Sequence, residues 1–138
     1  MPRLGPARVL LGHYGTAHSV VEAPSPMTYL SVTLARGERW RYTPPAGHTV
    51  AWVAVASGRL AASEPIDTGE LVGFAPSDTD IDFVAESDTS FVLGSAVPHP
   101  HPLVMGTYSV HTNADALAAG ETEIRRMGMT LRAAGQLG

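Results

Sequence analysis

The chain has 138 residues, 44% of them apolar and 16% charged, which is the composition of a globular protein and excludes a disordered one. It has no cysteine, so disulfide frameworks, thiolate metal sites and cysteine nucleophiles are excluded together. Thirteen acids against nine bases give a formal net charge of −4, whereas a protein that neutralises phosphates carries a basic excess; direct nucleic-acid binding is not expected. All nine bases are arginine, a usage read as that of a GC-rich bacterial genome.

In chain order, Val9–Leu11 is a short apolar run closed by Gly12. Leu30, Val32 and Leu34 alternate with polar neighbours, the period of a half-buried strand. Trp40 and Tyr42 alternate with Arg39, Arg41 and Thr43 in the same way. Pro44-Pro45-Ala46-Gly47 breaks the chain, and Thr49–Ala56, apolar on both faces, reads as a central strand. Further short strands are expected at Arg59–Ala62, Glu70–Phe74, Ile81–Ala85, Ser90–Gly94 and Val104–Val110. Many short strands with regular turn signals predict a sandwich or barrel. The expected core holds Leu30, Val32, Leu34, Trp52, Val53, Phe83, Phe91 and Leu93.

The period changes after Thr112. Leu117, Ile124 and Leu131 recur every seven residues, with Gly120, Met127 and Ala134 three further on, a narrow helical stripe over about 113–134. Thr112 to Asp115 has the spacing of a capping box, Glu121/Arg125 and Glu123/Arg126 can pair along the helix, and Gly135 ends it. Gly120 on the stripe permits close approach of a packed surface. The expectation is one domain over 1–138: an all-β barrel over about 8–111 and one C-terminal helix. No run approaches the roughly 20 apolar residues that span a membrane, and the N-terminus lacks a secretory apolar core. A cytoplasmic location without membrane contact is expected.

Six histidines are the candidate chemistry. His99 and His101 are separated and bracketed by prolines; polyproline geometry, three residues per turn, keeps residues i and i+2 off a common face. The pair is read as an exposed loop before a metal site. His48 opens the central strand and is read first as a hydrogen-bonded structural residue. His13 and His18 are assigned to a surface loop, and His111 to a hydrogen bond within the turn before the helix. Asp78, Asp80 and Asp82 alternate but lack the glycine and closing glutamate of a calcium loop, so they form a solvated face. Binding candidates are His48, Trp52, His99, His101 and His111; no metal is expected, with His48, His99 and His101 as the alternative ligands.

Several stretches together resemble the C-terminal cupin domain of the pirin family. Pro26-Met27-Thr28-Tyr29-Leu30-Ser31-Val32-Thr33-Leu34-Ala35-Arg36-Gly37 is similar to its Pro-x-x-Tyr-Leu-Asp-Val-x-Leu-x-x-Gly strand, and Pro45-Ala46-Gly47-His48 to its Pro-Glu-Gly-His stretch. Ser90–Gly94 resembles the strand ending in Leu-x-Gly, and Val104–Thr112 the Gly-Pro-Phe-Val-Met-Asn-Thr signature before the last helix. Thr107, Ser109, Val110 and His111 depart from that signature. The resemblance implies a cupin (jelly-roll) barrel. It associates the family's metal, usually iron held by three histidines and a glutamate, its quercetin dioxygenase activity and its role as a transcriptional cofactor with the N-terminal cupin, which this chain does not match.

The general cupin ligand pattern also fails here: after His48 its remaining ligands fall on Val50, the Ala54–Val55 stretch and the neighbourhood of Ile81. The expected function is therefore a non-catalytic binding or assembly module. The alternatives are a metal-dependent dioxygenase of the pirin or quercetinase type, using iron or another divalent transition metal at a divergent histidine site, and a transcriptional cofactor without direct DNA contact. Expected partners are a second copy in a homodimer, a separate N-terminal pirin-like cupin, or a small-molecule ligand.

Overall fold

A computed structural model describes residues 1–137. Its strands are Arg3–Leu4 (β1), Ala7–Leu11 (β2), His13–Tyr14 (β3), Ala17–His18 (β4), Met27–Leu34 (β5), Arg39–Tyr42 (β6), Val50–Ser57 (β7), Arg59–Ala61 (β8), Pro65–Asp67 (β9), Leu71–Gly73 (β10), Ile81–Ala85 (β11), Thr89–Ala96 (β12), Val104–Met105 (β13) and Val110–His111 (β14). One helix, α1, spans Ala114–Ala133.

The chain divides into two compact units, Met1–Pro98 and a second that begins at His99. The first holds two antiparallel sheets, one in the order β1-β2-β5-β12-β7-β10 and the other β6-β11-β8-β9. The central strands alternate: Leu30, Val32 and Leu34 of β5, Val53 and Val55 of β7, and Phe91 and Leu93 of β12 are buried together with Tyr42, Leu60, Ile66 and Phe83 of the other sheet. One core is thus shared by both sheets. Aromatic rings fill it in a chain: Tyr14 on Tyr42 (5.4 Å), Tyr42 on Trp40 (5.8 Å), Trp40 stacked on Phe83 (5.9 Å), and Phe83 on Phe91 (5.5 Å).

Trp52 departs from the expected core. Ala51, Val53 and Val55 take the inward positions of β7, so Trp52 stands on the opposite, outer face of the six-stranded sheet. Strand parity decides this, because side chains one residue apart face opposite ways.

In the second unit, Val104–Val110 is not one barrel strand. It is a hairpin in which Val104 pairs with His111 and Met105 with Val110, joined to neither large sheet. The β body therefore closes near residue 98 rather than at 111. The helix falls where its stripe predicts, but Asn113 caps it, not Thr112: the Asn113 Oδ1 accepts from the Ala116 N–H at 2.8 Å. Asparagine is among the strongest N-caps, and it stands one residue nearer the helix. At the other end Gly135, at φ +71°, donates to Arg132 O while Gln136 donates to Leu131 O, a Schellman closure. No helix in the described residues is long and apolar enough to cross a membrane.

Candidate functional site

His48 is placed by a tight turn. Its N–H donates to Pro45 O at 3.0 Å, and Gly47 supplies the positive φ (+82°) that the third position of a type II turn requires. The chain then enters β7 with the His48 ring inside the first unit, only 3% exposed. Its Nδ1 lies 2.8 Å from Ser95 Oγ, and Ser95 Oγ lies 2.7 Å from the Tyr42 hydroxyl. The three form one chain of hydrogen bonds running in a single sense, Tyr42 to Ser95 to His48 or the reverse. Beside it, the Thr28 hydroxyl donates to His13 O at 2.7 Å.

Burial holds both titratable ends of this network in their neutral forms near pH 7. Burial pushes the Tyr42 hydroxyl up to about 12, against the opposing pull of its Ser95 bond, so it stays protonated. Burial, and secondarily the neighbouring His13, pushes the His48 imidazole down, so the ring is neutral near pH 7. Among the described residues every deeply buried side-chain polar atom has a partner. Ser95 itself is 3% exposed.

His13 and His18 form a hairpin rather than a loop. They are register partners across β3 and β4, with rings stacked at 5.5 Å, and His13 meets the edge of His48 at 6.5 Å. In the second unit, the His99 and His101 rings do come together, at 5.0 Å, because His99 Nδ1 folds back to accept from the His101 N–H at 3.2 Å. The expected divergence of the two rings does not hold: a side chain-to-backbone bond bends this segment away from regular polyproline. His111 turns its Nε2 to Ser109 Oγ at 2.8 Å and lays its ring over Gly120, where any side chain would collide with it. His48 thus belongs to the first unit, and His99, His101 and His111 to the second.

The outer face of the six-stranded sheet carries a different feature. Trp52 and Tyr29 lie 5.7 Å apart on either side of Gly94, and the indole rests where a Gly94 side chain would be. With Leu11, Met27, Val50 and Ala96 they line an apolar groove of about 350 Å³. Sequence reasoning singled out Trp52 but missed its neighbours and the buried polar set. Ser95 follows Phe91 and Leu93 on the inward parity of β12, and Thr28 precedes Leu30 and Val32 on that of β5. A polar residue at an inward position was the available signal.

No protein-family model and no curated protein sequence matches the chain. Solved structures do. A quercetin 2,3-dioxygenase from Acinetobacter baumannii superposes with a TM-score of 0.78 at 20% identity, over 87% of this chain and 42% of that one. The bacterial pirin YhhW from Escherichia coli, in complex with nickel(II), gives 0.56 at 16% identity, over 67% of this chain and 40% of that one. A cupin domain of an XRE family transcriptional regulator from Enterobacter cloacae gives 0.51 at 19% identity, over 67% of this chain and 96% of that one. The chain spans about two-fifths of the dioxygenase and pirin chains. These likenesses establish the fold: the β body is a cupin.

The transition metal that this fold suggests does not fit the residues present. His48 is the one donor on the expected pattern, and its Nδ1 is bound to Ser95. Val50 lines the outer groove, on the opposite side of the sheet from His48, while Val55 and Ile81 offer only hydrocarbon. Among the described residues no three His, Asp or Glu side chains are grouped as metal ligands.

Proposed function

We propose that this chain is a pirin-like single-cupin module whose work is binding rather than catalysis, and that its ligand is a small, flat, apolar molecule held in the groove beside Trp52. The observation that supports this reading is an apolar groove on the outer face of the large sheet, against Trp52 and Tyr29. Among the described residues, the core between the sheets carries the Tyr14–Tyr42–Trp40–Phe83–Phe91 chain instead of a set of metal donors. The groove's volume is within the range of small-molecule sites, and its wall of two aromatic rings and aliphatic side chains selects hydrocarbon over charge. An activity requires a site, and a fold alone does not confer one.

Two measurements test it. Protein purified without chelator or nickel affinity resin is expected to carry sub-stoichiometric iron, nickel, copper and manganese, unchanged in His48→Ala; one equivalent of metal lost in that variant supports the dioxygenase reading instead. Titration with 2-naphthol is expected to quench Trp52 fluorescence saturably. Ala96→Phe, which fills the groove, should abolish the saturable phase, and a titration unaffected by that variant places the ligand elsewhere.

A further inference from the structure

The second unit contains a surface that its own fold does not use. Helix α1 has 20 residues and none is buried. A helix gains most of its stability by packing an apolar face, and a chain of roughly 40 residues, the size of this unit, rarely folds without outside support. The first half of the stripe is occupied within the unit: Leu117 lies against Gly106, and Gly120 against His111. The second half is not. Met127 is 44% exposed and Leu131 38%, and the space above Gly128 is open. Beside Ile124, a hollow of about 220 Å³ is bounded by Tyr108, Glu121 and Arg125, and Tyr108 is 84% exposed.

These features are complementary to themselves. Laid antiparallel about a two-fold axis between residues 127 and 128, a second copy of α1 puts the partner's Leu131 opposite Ile124, where the hollow beside Tyr108 can receive it. The same axis sets each Gly128 beside the partner's Gly128, two positions without side chains that let the helices approach closely. At about 3.6 residues per turn, Glu121 and Arg132 stand three turns apart on the same flank of the stripe. An antiparallel pair sets equal flanks together, so each Glu121 comes within reach of the partner's Arg132. A closed two-fold contact needs such a self-complementary patch. We propose that the chain forms a two-fold dimer through the C-terminal half of α1, in this register.

The test is light scattering on the full chain across a micromolar dilution series. The wild type is expected at twice the 14.5 kDa chain mass, dissociating on dilution. Gly128→Leu is the decisive variant, because leucine forms helix better than glycine. A merely structural role predicts a helix unharmed and an unchanged mass; the proposed register predicts an intact helix by circular dichroism and at least tenfold weaker association. Glu121→Arg and Arg132→Glu should each weaken the dimer, and the double variant should recover it. A mass of one chain at every concentration overturns the dimer. A dimer indifferent to Gly128→Leu, or a double variant no better than the singles, overturns the register. Neither outcome bears on the groove beside Trp52, which the naphthol titration tests separately.

Discussion

At the scale of single residues, His48 shows how burial and one hydrogen bond fix a histidine's charge. The ring is buried, neutral and tied through Ser95 to a phenol held in its protonated form. Its folded-state pKa is depressed below the ordinary histidine value of 6.5. The unfolded chain therefore takes up the proton first as pH falls, and stability present above about 6.5 is lost on acidification. Urea midpoints at pH 7.5 and pH 5 should show this loss, and His48→Gln should flatten it; an unchanged pH dependence in the variant assigns the loss to other groups. At pH 7.5, His48→Ala should cost about 1–3 kcal/mol, the penalty for leaving the buried Ser95–Tyr42 pair without its third member. Equilibrium denaturation reads that cost directly.

At the scale of elements, strand parity was legible and its exceptions were informative. Leu30, Val32 and Leu34 alternate plainly with polar neighbours, and the structure buries each of them, as it does Phe91 and Leu93. Thr49–Ala56 does not alternate, so the sequence put Trp52 and its neighbour Val53 in the core together; strand parity keeps Val53 there and turns Trp52 outward, opposite Gly94. The hairpin at Val104–His111 was missed because two-residue strands are too short to show a period. The network around His48 was only half legible, since Tyr42 and Ser95 lie 53 positions apart in the chain. The helix, by contrast, was readable from its stripe and its closing Gly135, with only the N-cap displaced by one residue, from Thr112 to Asn113. Asn113→Ala should cost about 1 kcal/mol of helix stability, and Gly135→Ala, at a left-handed φ, about the same. Loss of ellipticity at 222 nm on mild heating is the readout, and Thr112→Ala should leave it nearly unchanged, because Asn113 is the cap.

At the scale of the whole molecule, the two units differ in how they are held. Every residue of the hydrophobic core lies in the first unit, whereas the helix of the second has no buried residue. Cooperative stability follows buried apolar contact, and regions without it open locally. Native-state hydrogen exchange should place the β5, β7 and β12 amides at the global unfolding limit. Those of α1 should exchange orders of magnitude faster, with protection rising as protein concentration favours the α1 dimer. Uniform protection across both units would contradict this division.

The aromatic chain between the sheets also shapes what this molecule can become. Building a metal centre here would take new donors where Val50, Ala54 or Val55, and Ile81 now stand, and one of these, Val50, sits on the far side of the sheet from His48. It would also require clearing rings such as Tyr42 and Trp40, and truncating a large core aromatic costs about 3–5 kcal/mol, a large share of a domain's whole stability. Clearing those rings thus weakens the fold before any metal can bind and repay it. The groove outside carries no such burden: Ala96, Val50 and Met27 can vary in size without touching the core. Substitutions are therefore costly between the sheets and cheap on the outer face, so sequence variation should accumulate around Trp52 before it does around His48.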